Sequence, residues 1–78
     1  MLTLADLKKG QKAKIVTLCG AKKLRIRLME LGLVPERSIE IYAITLFGDP
    51  IVVKIRGCRL SLRKSEAKQI VVELSDEK

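Results

Sequence analysis

A chain of 78 residues has room for one folding unit, spanning 1–78, and a chain this short buries only ~60 to 65% of its unfolded surface, so multi-domain readings are excluded and the core has to be thin. Hydrophobic residues make up 47% of the chain and aromatics 3%, which puts Ile, Val and Leu rather than rings in that core and favours strands. Sixteen basic residues against 9 acidic give a net charge of +7, and the absence of histidine removes the commonest general base and the commonest transition-metal ligand together.

Thr3 and Asp6 have the spacing of a capping box, which predicts a single turn through Leu4 and Leu7, ended by Gly10. From Gln11 to Cys19, Lys12, Lys14 and Val16 alternate with Ala13, Ile15 and Thr17, so a strand with a lysine-bearing outer face is expected before Gly20. Between Ala21 and Leu31 the positions Leu24, Leu28 and Leu31 recur at helical spacing over roughly three turns. Ile26, Met29 and Leu33 widen or flank that stripe, so the helix carries more apolar surface than one contact with a sheet requires, and part of it is expected outside. Gly32 stops the helix and Pro35 prevents its resumption, which makes both structural turn residues. Lys8 to Arg27 holds eight basic residues and no acidic one, so one end of the molecule should be positive.

A hairpin is predicted next, with arms at 37–46 and 51–56 joined by the structural turn Gly48-Asp49-Pro50. Ile39, Ile41 and Ala43 oppose Glu40 and Tyr42 in its first arm, as Ile51, Val53 and Ile55 oppose Val52, Lys54 and Arg56 in its second. Gly57-Cys58 turns the chain into a strand at 59–63, Ser65 to Lys68 allows one helical turn, and Ile70 to Leu74 forms the last strand. Residues 74–78 are expected to be a flexible tail. Five short strands with a turn signal roughly every ten residues point to a mainly β fold, a small closed barrel or compact sandwich.

No constellation for catalysis is present: nothing offers a nucleophile, a base and a group to orient it. Gly20-Ala21-Lys22-Lys23-Leu24-Arg25 lacks the spacing of a phosphate-cradling loop. No catalytic, cofactor or metal residue is therefore assigned, and Cys19 and Cys58, far apart in sequence, are expected as reduced, buried small hydrophobes. A basic barrel suits nucleic acid by charge, but Tyr42 and Phe47 alone make a poor base-stacking platform. No apolar run reaches the ~18 residues of a membrane span, and residues 1–7 show neither a basic n-region nor a cleavage site, so a cytoplasmic protein that does not insert into membranes is expected.

Taken together, Gly10, the helix from Arg25 to Leu31, Gly32-Leu33, Pro35, Gly48-Asp49-Pro50, and Leu60-Ser61-Leu62-Arg63-Lys64 with Glu66-Ala67 resemble the FeoA family over roughly residues 3 to 74. The resemblance implies an SH3-like barrel of about five strands with one three-turn helix, and a non-enzymatic accessory protein of bacterial ferrous iron uptake. It also implies a partner, the cytoplasmic GTPase region of the FeoB transporter, and leaves open whether the protein stimulates hydrolysis, assembles the transporter or handles metal. Alternatives are a freestanding copy of the SH3-like domain of metal-dependent repressors, or a small nucleic-acid-binding barrel. Members of the family usually have glycine where this chain has Glu36, so the turn after Pro35 is expected either to differ in shape or to carry mild strain. The wide apolar face of the helix and the family's motif on it nominate Leu28, Met29, Leu33 and Arg25 as partner contacts.

Overall fold

The computed structural model describes residues 1–75. A 3-10 turn at Leu4–Asp6 leads into β1 (Lys12–Leu18), α1 (Lys22–Glu30), β2 (Ser38–Ile44), β3 (Ile51–Ile55), β4 (Cys58–Leu62), α2 (Lys64–Ala67) and β5 (Ile70–Leu74). Each element therefore falls within a few residues of its predicted position. The strands form one antiparallel sheet in the order β4-β3-β2-β1-β5.

That sheet is not closed into a barrel, contrary to expectation. β4 and β5 lie at its two ends, and the outer edge of β5 is already taken by the start of the chain: Val72 N–H donates to the Leu2 carbonyl at 3.0 Å, and Thr3 bridges Val71. Leu2 and Thr3 thus occupy the hydrogen-bonding positions that β4 would need for closure. Two bulges twist the open sheet, one between Ile15 and Thr17 and one between Ile41 and Ala43. The skipped residues, Val16 and Tyr42, point to solvent, and Arg59 stacks over the Tyr42 ring at 4.1 Å.

Alternation places Ala13 and Ile15 of β1, Ile39 and Ile41 of β2, and Ile51, Val53 and Ile55 of β3 in one core with Leu4, Leu62 and Ile70. No ring belongs to it. The β3–β4 connection is a two-residue hairpin between the paired Ile55 and Cys58, with positive φ at both Arg56 (51°) and Gly57 (80°). This is the type I′ geometry that matches strand twist, and only Gly57 adopts it freely.

The expected flexible tail is corrected at its start. Leu74 pairs with Ala13, and Ser75 N–H donates to the Lys12 carbonyl at 3.0 Å; the remainder, 76–78, lies outside the described residues. The cysteines also depart from expectation: Cys19 is half-buried, and Cys58 is exposed at the start of edge strand β4, where only one side of the backbone is covered.

Candidate interaction surface

The end of α1 explains which of its side chains are available. Leu33 N–H donates to the Leu28 carbonyl and Gly32 N–H to the Met29 carbonyl, both at 3.0 Å, with Gly32 at φ 99°. This crossed pair of bonds is the Schellman motif, whose usual companion is an apolar contact between the residue after the glycine and the one four positions before it. Here those residues are Leu33 and Leu28, both fully buried in the core. Arg37 steadies the turn by donating from Nη1 to the Gly32 carbonyl at 3.3 Å.

Two of the four nominated contacts are therefore corrected. Leu28 and Leu33 are the apolar pair that holds the helix end against the sheet, so neither offers surface to a partner. Met29 and Arg25 are exposed. Leu31, expected in the core at helical spacing from Leu28, instead caps the helix and is 46% exposed. Leu28 is the one residue of α1 that is buried, Leu24 packs partly against the core, and Ile26 and Met29 remain close to half exposed. Three residues apart, Ile26 and Met29 are neighbours on one helix face, with Arg25 four residues before Met29.

The rest of this end is braced by polar contacts. Arg27 of α1 forms an ion pair with Glu66 of α2, whose other carboxylate oxygen accepts from Arg63 N–H at 2.9 Å. Asp49 reaches across from the β2–β3 loop, its Oδ1 accepting from Lys64 N–H at 2.9 Å, and so caps the first turn of α2 from fifteen residues away. Gly48-Asp49-Pro50, with its Asp49–Pro50 peptide cis, is thus tied into the structure. A depression of about 550 Å³ lined by Arg27, Asp49, Ser61 and Glu66 lies between these contacts. A separate depression of about 380 Å³ is lined by Leu31, Arg37 and Leu60.

No group of three or more His, Cys, Asp or Glu side chains capable of holding a metal occurs among the described residues, and among them no helix is long and apolar enough to cross a membrane. Periodicity overlooked Leu46 and Phe47, which are 91% and 88% exposed. The signal for them was the occurrence of two large apolar residues directly before the Gly48-Asp49-Pro50 turn.

A sheet of five short antiparallel strands with two bulges, carrying one helix of nine residues, makes a small SH3-like β protein. The model of the FeoA domain matches residues 2–74, and the chain belongs to that family, which is associated with ferrous iron transport. A Campylobacter jejuni relative named for Fe(2+) transport protein A is 37% identical over 73 residues, covering 94% of this chain and 99% of its own. A Porphyromonas gingivalis Fe(2+) transport protein A/Fe(2+) transporter FeoB fusion protein is 33% identical over 94% of this chain, which spans 9% of that longer protein. The crystal structure of Stenotrophomonas maltophilia FeoA complexed with zinc, described as a prokaryotic SH3 domain protein, superposes with a TM-score of 0.83 at 30% identity, covering 94% of this chain and 91% of that one.

Proposed function

We propose that this chain is a non-enzymatic accessory protein of ferrous iron uptake that binds the cytoplasmic GTPase region of a FeoB transporter through the outer face of α1. Arg25, Ile26 and Met29 supply the contact, with Leu31 at its border. The observation that carries this reading is the imbalance of α1: nine residues expose Ile26 and Met29 while burying Leu28 alone. A helix docked only to hold its own fold would keep its large apolar residues inward. The Porphyromonas gingivalis fusion supports the choice of partner, because there a region similar to this chain is covalently joined to FeoB.

The test separates core from contact. Ile26→Ser and Met29→Ala should melt close to the wild-type temperature yet lose capture by the FeoB cytoplasmic region, as interface anchors do. Leu28→Ala should instead cost ~2 to 5 kcal/mol of stability, because it opens a cavity in the core. Folded Ile26 and Met29 variants that bind with wild-type affinity would remove α1 from the contact.

A further inference from the structure

The β2–β3 connection holds the most exposed large apolar residues after Met1. Gly48 N–H donates to the Thr45 carbonyl at 2.8 Å, making Leu46 and Phe47 the two central residues of a tight turn. Those positions ordinarily go to polar or small residues, because side chains at a turn apex point into water and bury nothing. Neither residue packs against the core cluster, so neither is explained by the fold.

The base of this apex is anchored. Thr45 N–H donates to the Pro50 carbonyl at 3.3 Å, and the Asp49 carboxylate is held by Lys64 N–H. The apolar pair is therefore presented on a fixed support. Around that support basic side chains outnumber acidic ones: Lys64 Nζ comes within 3.9 Å of the point where a side chain on Gly48 would begin, and Arg63 precedes it in the chain. Of the nearby carboxylates, Glu66 is neutralised by Arg27, while Asp49 accepts from Lys64 N–H and keeps its charge, which leaves an excess of one positive charge among these five side chains. Among the described residues no ion pair neutralises the side chains of Arg63 or Lys64.

A convex apolar tip above free cations, on a chain of net charge +7, matches the interface of an anionic bilayer. Aliphatic and aromatic side chains enter the boundary between headgroups and acyl chains, and lysines and arginines meet the lipid phosphates. A bilayer asks for no shape complementarity, which suits two side chains that no neighbour orients. We infer that Leu46 and Phe47 form a wedge that seats the protein reversibly on an anionic phospholipid surface, with Lys64 and Arg63 as its electrostatic collar. One apolar pair and a few charges give a weak, two-signal attachment that releases readily.

The chain contains no tryptophan, so Phe47→Trp places a single fluorophore at the tip. Mixed with vesicles of phosphatidylcholine containing about one third phosphatidylglycerol at low salt, the F47W protein should shift its emission to the blue and become shielded from an aqueous quencher. In co-sedimentation with the same vesicles, the L46S/F47S variant should bind at least about tenfold more weakly than wild type, with an unchanged melt. Lys64→Gln should weaken binding to these vesicles, while pure phosphatidylcholine should retain little of any variant. Three results would overturn the inference: wild type that fails to sediment with the anionic vesicles, an L46S/F47S variant that sediments equally well, or emission of the F47W protein that does not change. Loss of capture by the lipid-free FeoB region in the L46S/F47S variant, without loss of vesicle binding, would assign the tip to a protein groove instead. No transporter is present in the vesicle assay, so its failure leaves the α1 contact standing.

Discussion

Glu36 holds a left-handed backbone at φ 75°, with its N–H donating to the Ile15 carbonyl at 2.7 Å. The turn after Pro35 thus keeps a shape that glycine would adopt freely, at a cost of ~1 to 2 kcal/mol for a residue with a Cβ. Its ion pair with Lys14, 3.6 Å apart and largely exposed, returns only a few tenths of a kcal/mol. Glycine adds ~0.5 to 1 kcal/mol of chain entropy to be lost on folding, so Glu36→Gly should stabilise the protein by about 0.5 kcal/mol and raise its melting midpoint by about 2 to 4 °C. A lower midpoint would show that the ion pair outweighs the strain.

Asp6 is the titrating counterpart. The Thr3 backbone N–H, at 2.8 Å, and then its hydroxyl, at 3.1 Å, hold the exposed Asp6 carboxyl below its ordinary value of 3.8. A depressed folded value contributes stability that is present above 3.8 and is lost as pH falls through the lower folded value. With no histidine in the sequence, melting midpoints should be nearly level from about pH 5 to 8 and fall below about pH 4. Asp6→Asn should flatten part of that acid limb, which a melt series across pH measures directly.

At the scale of elements, the loop before β3 and the helix after β4 depend on each other through one carboxylate. Asp49→Ala leaves Lys64 N–H without its acceptor and should cost about 1 kcal/mol, whereas Asp49→Asn retains an oxygen and should cost less. Equal melts for the two variants would mean that the cap contributes nothing. The elements themselves were legible in the sequence because they rest on local chemistry: alternation in β1 to β3, glycine and proline at the turns, and helical spacing in α1. The inside of α1 was legible only in part. Leu28, on the stripe, and Leu33, beside it, were nominated as contacts, yet Leu28, Gly32 and Leu33 stand at the spacing of the Schellman motif, and that pattern buries both. Leu31 falls on the same helical stripe but sits where the backbone leaves the helix, so periodicity misplaces it. Closure was out of reach, because it turns on which distant segments pair. Nothing in residues 1–3 announces that they will occupy the edge of β5.

For the whole molecule, the basic run stays at the surface. All eight basic residues from Lys8 to Arg27 are exposed, and among the described residues ion pairs engage only Lys14 and Arg27 of that run. Such a surface accelerates encounter with an acidic partner and is screened beyond a Debye length of ~10 Å at 0.1 M salt. Association with the FeoB cytoplasmic region should therefore slow by about tenfold between about 50 and 500 mM salt, while dissociation set by Ile26 and Met29 changes little. Rates that are flat with salt would confine recognition to the apolar face.

The two ends of the sheet are unequal. Leu2 and Thr3 cover part of β5, whereas β4 pairs with β3 alone among the described strands. Exposed strand edges are templates for runaway polymerisation, and growth of that kind needs two of them per subunit, one to receive and one to offer. With Leu2 and Thr3 lying against Val71 and Val72, part of the β5 edge is already covered, and β4 is the more open of the two. Leu2 and Thr3 thus act as a partial plug, leaving less of β5 than of β4 to receive another strand.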